Sequence, residues 1–550
     1  MLINTYSAAS VGIDAVIVTV EVHATPGYDF TLVGLPDTAV KEGHERIQSA
    51  IQVSGIRQPQ RQYTINMSPA DLKKEGAAFD LTLAIGQLAA TEQVQSRLLS
   101  EFLILGELSL DGHLRPVHGC LPIALAAKNN GFRGVILPAE NANEAAVVDG
   151  IEVYGFECLT DVIGFLNGTQ PAQPTHVDVD QLLSTYAFPT DMDFAEVRGQ
   201  QEVRRAIEIA AAGGHNIIMI GPPGAGKSMM AKRIPTILPA MTLSEALETT
   251  KIYSVSGKLR KTVQQRINPT SHSDSGPTSH SDSGLTSHSD SGLTSLIVQR
   301  PFRSPHHTIT DVTLVGGGNN PQPGEVSLAH NGVLFLDELA EFKRTALEVL
   351  RQPLEDGHIT VARNKLSVDY PAHFMLVAAM NPCPCGHYGD LKHPCTCTPA
   401  QRHRYMSRIS GPLLDRIDIQ CHIDAVGYDD LRQKADGEPS AVIRERVRKA
   451  RDIQTERFRG TTIHCNAQMT PSMVRLYCQP DEQAEQHLRV AMNMYGLSAR
   501  AYDRILKVAR TIADLDAATH PDLPLTNTLN TSQLLQAIQF RQLDRADWGE

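Results

Sequence analysis

Asn216-Ile-Ile-Met-Ile-Gly-Pro-Pro-Gly-Ala-Gly-Lys-Ser228 decides how the rest of the chain is read. Ile217 to Ile220 form a short apolar run of the kind that makes a buried strand. Gly221, Pro222, Pro223, Gly224, Ala225 and Gly226 form a loop, and Lys227, Ser228 and Met229 open a helix. Strand, G-x-x-x-x-G-K-S and helix in that order predict a phosphate-binding loop. The glycines let backbone N–H groups curl around phosphate oxygens, and the helix start adds the positive end of its dipole. Lys227 is placed to reach the β- and γ-phosphates, and Ser228 to hold Mg²⁺. The expected ligand is a nucleoside triphosphate.

Composition sets the frame. A chain of 550 residues exceeds what one core supports and implies several domains. Hydrophobic content of 41% and charged content of 20% describe a globular protein without extreme bias. A net charge of −11 excludes a surface that is basic all over, so any nucleic-acid site must be local. No apolar run has the length of a membrane span, and the start lacks a basic segment followed by an apolar one. Neither secretion nor membrane insertion is expected, and the expected location is cytoplasmic. Nine cysteines, four of them clustered, suggest a reduced compartment and a metal site rather than a disulfide framework.

The rest of a nucleotide site follows downstream. Gly332-Val-Leu-Phe-Leu-Asp337-Glu338 reads as a buried strand ending in two acids. Asp337 would support Mg²⁺ at the carboxyl end of the strand, where open α/β sheets bind ligands. Glu338 would polarise the attacking water as general base. Phe374-Met-Leu-Val-Ala-Ala-Met-Asn381 is the next strand, and its terminal amide can hydrogen-bond both the γ-phosphate and the water. This order of phosphate loop, Asp-Glu strand and Asn-terminated strand resembles AAA+ ATPases. The resemblance implies an α/β core with a parallel sheet, a helical lid, ATP and Mg²⁺. Gly411-Pro-Leu-Leu-Asp-Arg416-Ile-Asp418 is similar to the box that carries an arginine finger in the chelatase and replicative-helicase branch. Arg416 would then enter a neighbouring subunit's site, with a surface salt bridge as the plain alternative. In Leu497-Ser-Ala-Arg500-Ala-Tyr-Asp-Arg504, Arg500 is by resemblance the second sensor on the γ-phosphate. Arg504, four residues on, stays open as an alternative.

Residues 1–170 alternate β-rich runs (Ala15–Val22, Tyr63–Met67, Phe102–Leu110, Gly134–Leu137) with helical stretches (Asp80–Ala90, Pro122–Asn129) and read as an α/β domain. Lys74-Glu-Gly-Ala-Ala-Phe-Asp-Leu81, Gly106–Gly112 and Gly131–Pro138 resemble the Lon-type peptidase domain, of the ribosomal S5 domain 2-like fold. That family uses a Ser-Lys dyad, and here Ala78 and Leu121 stand at the two positions. The expected domain is a peptidase fold without its chemistry. Residues 171–192 form a proline-bearing linker, 193–427 the ATPase core and 428–550 the lid. An insert at 270–295 repeats Thr-Ser-His-Ser-Asp-Ser-Gly-x with a period of eight and is too polar to bury a core.

Three further stretches bear on substrate and metal. Gly357-His-Ile-Thr-Val-Ala-Arg363-Asn364-Lys365-Leu-Ser-Val-Asp-Tyr-Pro371 predicts a hairpin with a basic tip. It matches the hairpin that ring helicases project into the pore, where one tip per subunit suits tracking of phosphates; a solvated turn is the alternative. His306 and His307, in Arg300-Pro-Phe-Arg303-Ser-Pro-His-His, are read as structural or substrate-facing. Cys383-Pro-Cys385 and Cys395-Thr-Cys397 can close a tetrahedral thiolate site for structural Zn²⁺. His387 or His393 replacing a sulfur, an iron–sulfur cluster and free thiols are the alternatives. The helix at Ala441–Gly460 carries seven basic and three acidic residues and reads as a solvated or intersubunit face.

With Arg303-Ser-Pro-His-His307, Pro323-Gly-Glu-Val-Ser-Leu-Ala-His330, Asn381-Pro-Cys-Pro-Cys385 and Ile409–Arg416, the whole chain resembles the YifB/ComM group of magnesium-chelatase-like AAA+ proteins. The octapeptide insert is a departure from that group. The resemblance implies a hexameric DNA helicase that drives branch migration of three- and four-stranded junctions during natural transformation, with single-stranded and branched DNA and recombination proteins as partners. Arg363, Asn364 and Lys365 would contact the DNA. A chelatase motor, a Lon-type protease and a protein-remodelling ATPase are the rival readings.

Overall fold

A computed structural model of the chain describes residues 1–57, 61–185, 188–189, 192–259, 296–318, 321–363, 366–389, 393–424, 437–520, 522 and 526–541. The octapeptide repeat lies outside them. The chain divides into two compact units, Met1–Thr185 with Leu243–Val298, and Tyr186–Thr242 with Gln299–Glu550. The described residues of Leu243–Val298, 243–259 and 296–298, group with the first unit, whereas the sequence reading has them inside the ATPase core.

The first unit is built on a seven-stranded mixed sheet. Its strands are β1 (Leu2–Val11), β2 (Asp14–Thr25), β3 (Phe30–Val33), β4 (Gln62–Ser68), β5 (Phe102–Ile104), β6 (Gly134–Pro138) and β7 (Glu152–Phe156), in the order β3-β4-β2-β1-β5-β6-β7. β1 and β2 form a tight hairpin, closing at Val11 opposite Asp14, where Gly12 takes a φ of 63°. The run Phe102–Leu110 is broken rather than continuous. After Ile104 the chain leaves the sheet, and Glu107–Leu108 pairs back on Leu114–Arg115 around the Asp111-Gly112 turn.

Helix α1 (Thr38–Val53) starts at Asp37, whose carboxylate accepts the Val40 amide at 2.9 Å. Helix α2 (Asp80–Ala90) is buried at every position, as its nearly all-apolar sequence requires. Its one acid, Asp80, pairs with Arg46 at 2.8 Å; burial pushes its carboxyl up, and Arg46 opposes that. Helix α3 (Cys120–Asn129) begins with the Leu121 amide donating to Glu144 at 3.0 Å. The Leu121 side chain is fully buried in an apolar cluster with Leu103, Leu105 and Val135, and Ala78 packs against that cluster. The two positions read as the former dyad are therefore packed apolar ground.

The second unit carries a five-stranded, wholly parallel sheet. Its strands are β8 (Ile217–Ile220), β9 (Phe302–Arg303), β10 (Val333–Leu336), β13 (Met375–Met380) and β14 (Ile419–His422), in the order β9-β10-β13-β8-β14. Between β10 and β13 the hairpin β11 (His358–Arg363) and β12 (Leu366–Pro371) stands as its own two-stranded sheet. Every residue of β8, β10 and β13 is buried, which explains their unbroken apolar runs. Helix α4 (Gln201–Gly213) precedes β8, α5 (Lys227–Ile237) follows its loop, and α6 (Pro399–Met406) follows β13. The C-terminal part is helical, led by α7 (Ser440–Arg457) and α8 (Ala499–Thr519), whose Ile505, Val508, Ala509 and Ile512 face the core. No helix among the described residues is long and apolar enough to cross a membrane.

Leu121→Lys would place an ammonium in that apolar cluster, a cost of several kcal/mol without a partner. The melting temperature of the variant should fall clearly, and Ala78→Ser combined with it should yield no casein cleavage.

Candidate active site

Parallel pairing brings three strand ends to one edge of the sheet. Ile220 lies opposite Met380, and Leu336 opposite Ala378. Gly221, Asp337 and Asn381, the residues that follow these strands, therefore emerge side by side, with Asn381 on the middle strand. The loop from Gly221 turns back through Gly224 and Gly226, at φ values of 77° and 86° that a side chain would resist.

Lys227 is the centre of the arrangement. Its ammonium donates to the carbonyl oxygens of Gly221 (2.7 Å) and Pro222 (2.8 Å) and to Asn381 Oδ1 (3.2 Å). Burial pushes its pKa down, against the pull of Asp337. The Ser228 hydroxyl donates to Asp337 Oδ2 at 2.5 Å, and the other Asp337 oxygen accepts the Glu338 amide at 3.0 Å. A hydroxyl and a carboxylate this close form the oxygen pair that a hard divalent cation such as Mg²⁺ takes as ligands or through its water shell. Glu338 sits in the left-handed region at φ 53°, with its carboxylate 58% exposed and 3.1 Å from Nδ1 of His307. The His306 ring lies tilted at 33° beside His307, with ring centroids 4.1 Å apart. Motif spacing offered no sign that His307 reaches Glu338.

The two lid arginines have different surroundings. Arg504 pairs with Asp418, which is 3% exposed, and also donates to the Arg416 carbonyl oxygen at 3.4 Å. Asp418 further accepts the Asn216 amide at 3.1 Å, and His215 Nδ1 lies 3.4 Å away. Burial alone would raise the Asp418 carboxyl, yet Arg504 and His215 hold it below the usual carboxylate range. His215 is fully buried, is pushed down by that burial, and meets Thr511 of α8 at 2.7 Å. Arg504 is thus committed to holding α8 on the strand beside the phosphate loop. Arg500 is exposed in the first turn of α8, where the helix dipole disfavours a cation. It has no ion pair among the described residues.

Arg416 is 6% exposed, donates to the Pro412 carbonyl oxygen at 2.7 Å and pairs with Glu355, which stands shortly before β11. β11 and β12 pair down to Arg363 opposite Leu366. Asn364, Lys365 and the Arg363 side chain lie outside the described residues. The basic residues of α7 are largely used inside the unit. Arg446 pairs with Glu208 and Glu438, Arg448 with Glu445 and Asp452, and Arg457 with Asp514.

The four clustered cysteines converge. Cys383, Cys385, Cys395 and Cys397 bring their sulfurs within 4.8 Å of one another. Cys383 Sγ is 3.3 Å from Cys385 Sγ and 3.7 Å from Cys395 Sγ, and Cys385 Sγ is 3.6 Å from Cys395 Sγ. A tetrahedron with metal–sulfur bonds of about 2.3 Å has edges of about 3.8 Å, so the spacing fits a thiolate-bound ion. The Cys385 amide donates to Cys397 Sγ at 3.3 Å and the Cys397 amide to Cys395 Sγ at 3.4 Å. Such N–H···S contacts offset the charge that gathers on thiolates. All four cysteines are free of disulfides.

Comparison with known proteins agrees with this geometry. Family profiles described as magnesium chelatase, subunit ChlI, match residues 193–286 and 279–431, with a ChlI profile over 20–141 and its C-terminal profile over 437–541. The competence protein ComM of Haemophilus influenzae is 42% identical over 512 residues, 93% of each chain. Protein YifB of Escherichia coli is 39% identical over 543 residues, 98% of this chain and 97% of its own. Lon protease 2 of Bacillus subtilis is 24% identical over 140 residues, 25% of each chain.

Arg504→Ala would strand the buried Asp418 carboxylate, at about 3–5 kcal/mol. It should lower the melting temperature by several degrees, whereas Arg500→Ala should leave melting unchanged and weaken nucleotide turnover. Calorimetry beside an ATPase assay separates the two.

Proposed function

Because the chain belongs to the YifB/ComM group of magnesium-chelatase-like AAA+ proteins, we propose that it is a ring-forming, ATP-hydrolysing motor that moves branched DNA. The observation that carries the ATPase reading is the convergence of Lys227, Ser228, Asp337 and Asn381 within hydrogen-bond distance at one sheet edge. Lys227 exchanges the Gly221 and Pro222 carbonyl oxygens for β- and γ-phosphate oxygens, which carry far more negative charge. Ser228 and Asp337 would hold Mg²⁺, and the ion would supply positive charge beside the transferring phosphoryl group. Asn381, released from Lys227, orients the γ-phosphate and the attacking water. Glu338 takes the water's proton once its carboxylate leaves His307.

Arg500 supplies a cation to the γ-phosphate from the same subunit, and Arg416 from the neighbour, so a single copy is nearly inactive and six form a ring. To act, Arg416 must exchange Glu355 for phosphate, and Glu355 is 55% exposed, so water receives it readily. Such a finger is worth on the order of 10³–10⁵ in rate. Zn²⁺ is the ion best matched to the four sulfurs, as a closed structural site.

DNA as substrate is supported by the relative named a competence protein and by the hairpin, whose paired strands end at Arg363. Arg363, Asn364 and Lys365 would present the tip to the strand being moved. Recombination proteins are the partners this reading implies, and the cytoplasm is the location. The Lon-like first unit favours a second reading, a motor that remodels a protein client, since that fold handles polypeptide elsewhere.

ATPase rate with and without single-stranded and branched DNA, together with strand movement in a branch-migration assay, tests the proposal. Stimulation by DNA and movement that vanishes in Lys227→Ala are expected; turnover indifferent to DNA, without movement, selects the protein client. Glu338→Gln should bind ATP yet hydrolyse it roughly 10²–10⁴ times more slowly. Arg363→Ala with Lys365→Ala should reduce the salt slope of DNA binding by about one for each phosphate no longer neutralised.

A further inference from the structure

We propose that the four-cysteine metal site positions the nucleotide site, so that ATP turnover depends on the metal through a direct contact with the phosphate-binding loop. This rests on the proposed function's assignment of a metal to the four sulfurs. The contact is made by Gly386, the residue after Cys385. Gly386 is buried with a φ of 85°, and a Cβ added there would lie 2.7 Å from Pro223 Cδ, 2.9 Å from Pro223 Cγ and 3.9 Å from Asn381 Cγ. The backbone of the cysteine loop therefore rests on the Pro223 ring, with the Asn381 amide group alongside. Pro223 has no N–H to give a phosphate. What it contributes is a fixed φ in the loop, and its ring is turned to Gly386.

The same loop is bound to Asn381 from both directions. Cys383, fully buried, follows Asn381 by two residues and ties the end of β13 to the sulfur cluster. On the other side, Cys397 leads into Thr398, which opens α6 with a capping box. Tyr405 of α6 returns to the neighbourhood of the Asn381 backbone, which opposes the rise that burial gives its hydroxyl, to about 12. The chain thus leaves Asn381, passes the sulfurs, and comes back to Asn381. Among the described residues of the loop, Pro384, Tyr388, Gly389, Thr396 and Thr398 are exposed, and its contacts include N–H···S bonds, the His387 and His393 rings 5.3 Å apart and the Arg402 guanidinium 4.3 Å from the Tyr388 ring centroid. Four metal–thiolate bonds are the strongest link available to hold Gly386 on Pro223. The position of Asn381 and the curl of the phosphate loop follow from that link. A misplacement of about 1 Å among such groups costs rate out of proportion to its size.

The test uses the full-length protein and reads metal content, ATP affinity with a fluorescent analogue, kcat, KM and thermal melting. Wild-type protein is compared before and after chelation and after Zn²⁺ is added back. It is also compared with Gly386→Ala, which keeps every thiol, and with Cys395→Ser combined with Cys397→Ser. Expected are a stoichiometric metal in wild type and Gly386→Ala, and its absence from the double cysteine variant. kcat should drop by roughly tenfold to a hundredfold in metal-free protein and in Gly386→Ala. KM should rise less, because Asn381 acts on the γ-phosphate and water. A main melting transition that persists, and recovery of kcat on adding Zn²⁺, separate positioning from collapse. Metal that is bound, and whose removal leaves kcat, KM and affinity as in wild type, overturns the coupling alone. Protein that binds no metal even when titrated with Zn²⁺ overturns the metal reading and the coupling with it.

Discussion

A buried ammonium has to be surrounded by oxygens, and the second unit is arranged around that requirement at Lys227. Desolvation already pushes its pKa down, so its charge survives only with hydrogen-bond acceptors close by. The sheet supplies them as neutral groups, two carbonyl oxygens and one amide oxygen. Asp337, the acid whose field reaches Lys227, is itself engaged with Ser228 and the Glu338 amide. Neutral oxygens satisfy the geometry of the ammonium without cancelling its charge. The site therefore keeps a positive potential for a polyanion, at the one edge where three parallel strands and a helix start converge.

Around this point the unit separates groups that are locked from groups that are left loose. Asp418 is locked by Arg504, by the Asn216 amide and by proximity to His215, and its depressed pKa keeps it charged. Through it α8 is fixed to β14, the neighbour of the phosphate-loop strand. Deeper in the same helix, Asp514 collects Arg457, Arg510 and Asn466. By contrast, Glu338 and Arg500 stand in solvent. Buried ion pairs make the frame rigid, and exposed charges on that frame can change partner at little cost.

What the sequence disclosed, and what it withheld, follows the same division. The phosphate loop, the Asp-Glu strand and the Asn-terminated strand were legible because each is a local pattern, an apolar run followed by its chemistry. The helices at Asp80–Ala90 and Pro122–Asn129 were legible as helical stretches between β-rich runs, and the structure carries them at Asp80–Ala90 and Cys120–Asn129. Arg500 and Arg504 were not separable, since residues four apart share a helix face. Only Asp418, distant in sequence, tells them apart. The meeting of His307 with Glu338, and of Gly386 with Pro223, likewise joins segments whose spacing says nothing about contact. The excess of basic residues on α7 read as a solvated or intersubunit face; Arg446 and Arg457 are instead paired with Glu208, Glu438 and Asp514, while Arg448 stays exposed beside Glu445 and Asp452.

The pairing of Arg416 with Glu355 has one more consequence. The Arg416 guanidinium is nearly buried, and the more exposed Glu355 is its ion-pair partner. In the proposed ring, the neighbour's γ-phosphate and this carboxylate would be rival anions for one cation. Glu355 belongs to the helix Arg351–Asp356, and that helix runs directly into β11. In that ring, occupancy of the neighbour's nucleotide site would decide whether the root of the hairpin is tethered or released. Such an exchange needs no large movement of the sheet, only a choice between two negative charges.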